Sequence, residues 1–179
     1  MDSKEISLGA VFAALYAVLL IVLAPISFGP VQLRVADCLI PLAALLGWPV
    51  IWGVTLGCFV GNTVGGIIAF SSVNPVDIIF GSVANLAASY MIFKLRRKCL
   101  LGCIIGSIII GMIVGGYLWM FTPSPSIGGL SLPAWAAMII SLTISSLVAV
   151  AVIGYALLLA LTRPSVIGSI RSMGLKVYV

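Results

Sequence analysis

Few side chains in this 179-residue sequence could do chemistry. It has no histidine and only four acidic residues, Asp2, Glu5, Asp37 and Asp77. That removes the usual general base and the commonest zinc ligand, and with them a serine–histidine hydrolase. Two-aspartate chemistry would need Asp37 and Asp77 to meet. Cys38, Cys58, Cys99 and Cys103 lie in or beside apolar runs, and none forms a CxxC pair. Cys99 and Cys103 have the i, i+4 spacing of helix packing, so neither a metal site nor a disulfide framework is implied. The remaining polar set, Gln32, Arg34, Asp37, Asn62, Asn74, Asp77 and Asn85, suits hydrogen-bond recognition of a ligand rather than catalysis.

Each member of that set has a plainer role to be weighed against recognition. Arg34 and Asp37 are three residues apart, on one face of a helix, as either a structural pair or two ligand contacts. Asp77 follows Asn74-Pro75, where a carboxylate either caps a helix and complements its dipole or faces a site. Asp77, Gly81, Ala84, Asn85 and Ala88 share one helical face, and the small residues leave room beside the polar ones. Asn62 lies four residues from both Cys58 and Gly66, as an amide that either ties a neighbouring helix or reads a ligand edge. Trp119, Trp135 and Tyr117 read as interfacial anchors.

The elements that position these groups must be membrane spans. Apolar residues make up 63% of the chain and charged residues 7%, against about 45–50% and 25% in soluble domains. A chain this apolar cannot cover a soluble surface with polar atoms. Soluble enzymes, DNA-binding domains, disordered chains and disulfide scaffolds are excluded. The net charge of +5 reads as cytoplasmic anchoring, not nucleic-acid binding. Segments 6–24, 51–70, 76–93, 100–121 and 134–161 each have the length and apolarity of a span, which needs about 20 residues. Prolines flank most of them, where a missing N–H costs least. The stretch 37–48 would reach only about 18 Å as an α-helix, and we count it as a short sixth crossing extended by residues 31–36.

Charge supports that count. With six crossings Lys4, Lys94, Arg96, Arg97, Lys98, Arg163, Arg171 and Lys176 fall on one side and only Arg34 on the other, as the positive-inside rule requires. The expectation is an all-α, six-span bundle over residues 1–161 in the cell membrane. Both termini are cytoplasmic, and residues 162–179 form a basic cytoplasmic tail, a surface segment suited to lipid headgroups. The start, running directly into Ile6 without a small-residue cleavage site, reads as a span and not a removed signal peptide. Polar groups concentrate in the outer half, suggesting an outward-opening pocket and no continuous polar route for a channel or proton pump. No internal repeat supports an inverted-repeat transporter. No Walker A sequence is present, so ATP would have to be used by partner subunits.

Small residues set the packing faces. Gly53, Gly57, Gly61 and Gly65 recur every fourth residue, and Gly102/Gly106 and Gly111/Gly115 repeat the pattern. Such stripes let helix backbones touch in lipid, within one bundle or, as a minor alternative, across a homodimer. Ala10/Ala14 and Ala13/Ala17 give the first span a small-residue face, for internal packing or for a partner protein.

The run Phe28-Gly29-Pro30-Val31-Gln32-Leu33-Arg34-Val35-Ala36-Asp37, then Leu39-Ile40-Pro41-Leu42, Gly57-Cys58-Phe59-Val60-Gly61-Asn62 and Asp77-Ile78-Ile79-Phe80-Gly81-Ser82, resembles the QueT family. Many members are expected to have Glu where this sequence has Asp37. The resemblance implies the substrate-binding S component of an energy-coupling factor (ECF) transporter, importing a queuosine precursor. It implies that Ala10, Ala13, Ala14 and Ala17 meet a transmembrane coupling protein and that two ATP-binding subunits drive the cycle. It also implies that the loop 25–36 closes over substrate. The ligand would be a 7-deazaguanine base. Its N–H/NH₂ edge suits Asp37 or Asp77, and its carbonyl and ring nitrogens suit Arg34, Asn62, Asn74 or Asn85. An S component for another vitamin or nucleobase, and an autonomous secondary transporter, are the alternatives. An intramembrane enzyme or a scaffold has less to recommend it.

Overall fold

The computed structural model describes residues 2–28, 32–123, 125 and 132–178, and no strand occurs among them. Helix α1 spans Ser3–Val22. A capping box starts it, with the Asp2 carboxylate accepting from the Glu5 amide and the Glu5 carboxylate from the Asp2 amide. A short turn at Ala24–Ser27 follows. Helix α2, Val35–Leu46, is 3₁₀ over Val35–Leu42 and α-helical over Ala43–Leu46. Pro41 lies inside it and lacks the N–H that a regular α-helix would use. The 3₁₀ rise stretches these twelve residues to about 22 Å, longer than an α-helix of the same count and starting two residues earlier than the sequence suggested.

Gly47 ends α2 with φ +70°, a left-handed turn that favours glycine. Helices α3 (Trp48–Phe70), α4 (Pro75–Lys94), α5 (Cys99–Leu118) and α6 (Ala134–Leu161) follow. Helix α6 is π-helical over Leu147–Gly154, where it packs on α2. A Cβ on Gly154 would lie 2.8 Å from the Cys38 carbonyl oxygen, so only glycine permits this approach. Helix α7, Pro164–Ser172, is short and peripheral. Five helices, α1 and α3 to α6, are long and apolar enough to cross a membrane, and α2 is shorter.

The glycine stripes fix the register between neighbours. Added Cβ atoms on Gly53, Gly57 and Gly61 of α3 would lie 2.6–2.7 Å from Phe12, Ala13 and Leu20 of α1. Rising numbers on α3 meet rising numbers on α1, so the two helices run parallel and the chain between them must return across the bundle. This stripe is therefore covered from within. A homodimer seam along it is overturned, because α1 occupies the face. Gly102 and Gly106 of α5 meet Ile92 and Ala88 of α4, and Gly111 and Gly115 meet Thr143 and Ile139 of α6, both pairs antiparallel. With no hydrophobic drive in lipid, such backbone contact is what holds the bundle together.

The first-span alanines divide. Ala17 is buried and Ala13 half-buried beside Gly57, whereas Ala10 and Ala14 are exposed among Ile6, Val11, Leu15, Val18 and Val22. One end of the bundle gathers the basic groups. Lys4 Nζ donates to the Met173 carbonyl (3.0 Å), Lys176 pairs with Glu5 (3.2 Å), and the Tyr178 amide donates to the Leu45 carbonyl (2.9 Å). Arg96 lies 5.0 Å from the Phe93 ring centre, and Phe93 meets the Tyr178 ring edge-on at 5.1 Å. The tail thus folds back across the basic end, tying α1, α2 and α4 together.

Candidate functional site

The opposite end holds a cavity of about 350 Å³, within the usual range for small-molecule pockets. Phe28, Gln32, Arg34, Asn62, Asn74 and Asp77 line it, with Gly66, Ser72–Pro75, Leu118, Phe121 and Thr122 completing the wall. Its residues come from the segment before α2, from α3, from the α3–α4 turn, from α4 and from the end of α5. The antiparallel α3–α4 pair brings Asn62 beside Asp77. The parallel α1–α3 pair brings the return segment, and so Arg34, over both.

Arg34 and Asp77 form the centre. One terminal guanidinium nitrogen of Arg34 lies 3.3 Å from both Asp77 carboxylate oxygens, and both side chains are buried. Tyr117 donates its hydroxyl to Asp77 Oδ1 at 2.6 Å. Asn62 donates Nδ2 to the Asp77 main-chain carbonyl at 3.0 Å, which fixes the orientation of its amide. A buried pair of this kind is costly to desolvate and fragile to loss of one partner. Here further hydrogen bonds from the tyrosine and the amide support it.

Gly81 makes the arrangement possible. A Cβ there would lie 2.7 Å from Asn62 Nδ2, 3.5 Å from the Arg34 guanidinium and 3.7 Å from the Tyr117 hydroxyl. The room left by small residues on the Asp77 face is thus used by three site side chains. Phe28 closes one side, with the Arg34 guanidinium 5.8 Å from its ring centre.

Three buried polar atoms on cavity residues have no hydrogen-bond partner among the described residues: Gln32 Oε1, Arg34 Nε and Asn62 Oδ1. Buried polar groups are nearly always paired, so each such atom calls for an explanation. The combination offers two neutral acceptors and one cationic donor beside a carboxylate.

Of the seven residues expected in the site, five line the cavity: Gln32, Arg34, Asn62, Asn74 and Asp77. Asp37 and Asn85 lie behind its wall. Asp37 accepts the Tyr16 hydroxyl, and Asn85 donates to the same hydroxyl at 2.8 Å, all three being buried. Arg34 does not pair with Asp37, because it precedes α2 as a non-helical N-cap residue (φ −80°, ψ 82°), so the helical i, i+3 relation does not apply to the two. Asp77 is not the helix cap. Asn74 is, its Oδ1 accepting from the Val76 and Asp77 amides at 3.1 and 3.4 Å. Asn74 therefore serves the fold as well as lining the cavity. Tyr117 is buried and turned inward, whereas Trp119 and Trp135 are exposed as anchors would be. The expectation for Tyr117 is corrected, since its hydroxyl finds a carboxylate inside the bundle. Tyr16 was not foreseen. Residues 29–31 of the resemblance-bearing loop, and the loop residues 124 and 126–131, lie outside the described residues.

A helical bundle with several membrane-length spans and a polar cavity at one end defines a multi-pass membrane protein. The chain belongs to the QueT transporter family, whose pattern matches residues 6–163. No curated protein and no solved structure matches it. Membership makes it a transport protein, and the matched region includes every cavity residue described above.

Proposed function

We propose that this chain is the substrate-capturing membrane subunit of an ATP-driven importer of the energy-coupling factor type, binding a 7-deazaguanine base from the outer side. The observation that carries the reading is the set of buried polar atoms on cavity-lining residues that have no partner among the described residues. Gln32 Oε1 and Asn62 Oδ1 ask for N–H donors, Arg34 Nε asks for an acceptor, and the Asp77 carboxylate lines the cavity beside them. A guanine-like ring supplies both on one edge: N–H and NH₂ donors beside a carbonyl oxygen. Phe28 and Phe121 offer apolar and aromatic wall for its faces. Of the two acids weighed from the sequence, Asp77 is the one with access to ligand.

In this reading α2 is a sixth crossing. The parallel packing of α1 and α3 supports it, since the chain must traverse the bundle between them. The basic end, with Lys4, the 94–98 loop and Lys176 in contact through the tail, is then cytoplasmic, as are both termini. The cavity faces outward, and the loop containing Gln32 and Arg34 closes it. Ala10 and Ala14, exposed on α1, are the docking face for a transmembrane coupling protein. Ala13 and Ala17 support that helix from behind. Two ATP-binding subunits complete the transporter, and this chain uses no cofactor of its own. Binding needs no energy, and ATP serves reorientation and release.

Mass spectrometry of small molecules carried through purification in mild detergent tests the reading. A 7-deazaguanine base recovered in near-equal amount with the chain is the expected result. A ligand without an N–H/NH₂ edge would overturn the substrate assignment.

A further inference from the structure

The buried Asp37–Tyr16–Asn85 cluster does not line the polar cavity, yet it adjoins Arg34, which does. Asp37 belongs to the first turn of α2, and its amide donates to the Arg34 carbonyl at 3.0 Å. The Asp37 side chain is held by the Tyr16 hydroxyl of α1, and that hydroxyl by the Asn85 amide of α4. All three residues are at most 2% exposed. Charged and polar groups in a span are costly, so three together need a reason. From Arg34 the network continues on its other side. One guanidinium nitrogen lies 4.0 Å from Cys58 Sγ, while another reaches Asp77. Arg34 is thus fixed at its head by Asp77 and, through one turn of backbone, at its base by Tyr16.

We propose that Tyr16 is a positioning residue for the cavity: by anchoring Asp37 it holds the first turn of α2 so that the Arg34 guanidinium lies across Asp77 at the cavity wall. Among the described residues no other side-chain hydrogen bond joins that turn to α1. The segment 32–34 carries no regular helix and owes its path to such tethers. Tyr16 also lies on the face of α1 opposite Ala10 and Ala14, so its hydrogen bond to Asp37 links that helix to the turn that carries Arg34. This inference rests on the reading of the cavity as the substrate site only for its effect on binding. Its effect on Arg34 is independent of any ligand.

The test therefore has two readouts. In a chain with Cys38, Cys99 and Cys103 replaced by alanine, alkylation of Cys58 by N-ethylmaleimide in detergent reports how closely Asn62 Nδ2 (3.6 Å) and Arg34 (4.0 Å) cover that thiol, and its dependence on Arg34 reports the position of the guanidinium. Tyr16→Phe should speed the reaction about tenfold, as expected for the loss of a hydrogen bond to a charged group. In an Arg34→Gln background the same change should have little effect, because the guanidinium is gone. Equal acceleration in both backgrounds, which a general loosening of the bundle would give, overturns the proposal, and so does no acceleration in either. Should Tyr16→Phe fail to fold, Asn85→Ala removes the second bond to the hydroxyl. It should act in the same direction and with the same dependence on Arg34. In parallel, calorimetry with 7-aminomethyl-7-deazaguanine should show affinity about tenfold lower in Tyr16→Phe. No binding by the unaltered chain, with the Arg34-dependent labelling intact, would remove the functional reading and leave the positioning role standing.

Discussion

Asp77→Asn is the substitution that most sharply separates recognition from structure. It keeps the shape of the side chain and removes its charge. In the structure Asp77 takes hydrogen bonds from the Arg34 guanidinium at 3.3 Å and from the Tyr117 hydroxyl at 2.6 Å. An amide can still accept from Tyr117 through its oxygen. Its NH₂ then faces Arg34 and the ligand edge, donor against donor. Breaking a buried ion pair on one side costs about 3–5 kcal/mol, because the remaining charge is left uncompensated. The mismatch toward a donor-bearing base adds a loss on the order of 10²-fold in affinity. Thermal unfolding in detergent and calorimetry with a 7-deazaguanine base read the two effects separately. A folded variant with lowered melting temperature and affinity reduced by about two orders of magnitude is the expected outcome. Unaltered affinity in a well-folded Asp77→Asn protein would remove the carboxylate from the site.

Three further outcomes follow from the same geometry. Tyr117→Phe leaves the cavity walls in place and removes one short hydrogen bond to a carboxylate, so affinity should fall about tenfold by calorimetry with little change in fold. Gly57→Leu places a side chain where a Cβ alone would lie 2.6 Å from the Ala13 carbonyl oxygen. It should cost about 3 kcal/mol or more and lower the unfolding temperature in detergent, whereas wild-type stability would mean α1 and α3 are not in backbone contact. Ala14→Trp, on the exposed face of α1, should leave ligand binding intact and block co-purification with a coupling protein, because the ring holds backbones apart. Normal assembly of that variant would place the docking face elsewhere.

Much of this was legible from residue types and spacing. The glycine stripe on α3 announced a close helix contact, and the structure supplies α1 as its partner. The five long spans appear within a few residues of where composition put them. Asn62, Asp77, Arg34 and Gln32 stood out because polar groups in so apolar a chain are few. What stayed hidden was pairing across long separations. Arg34 and Asp77 are 43 residues apart, and nothing local distinguishes that pair from Arg34 with Asp37. Tyr16 and Tyr117 were hidden for a different reason. A tyrosine within an apolar run looks like packing or an interfacial anchor, and only the three-dimensional neighbourhood shows its hydroxyl meeting a carboxylate. The π-helical stretch Leu147–Gly154 also gave no sign, since Leu-Val-Ala-Val-Ala-Val-Ile holds no breaker and its glycine matters only because α2 presses against it.

By the proposed function, this chain alone captures a guanine-like base through the Asp77–Arg34 cavity. Calorimetric titration of the purified chain with 7-aminomethyl-7-deazaguanine, without ATP or any partner, tests it most directly. The expected result is saturable binding of one base per chain, weakened when the N–H/NH₂ edge is blocked by N-methylation and reduced by about two orders of magnitude in Asp77→Asn. Absence of binding by the folded chain, or equal binding of a base whose N–H/NH₂ edge is blocked, would contradict it.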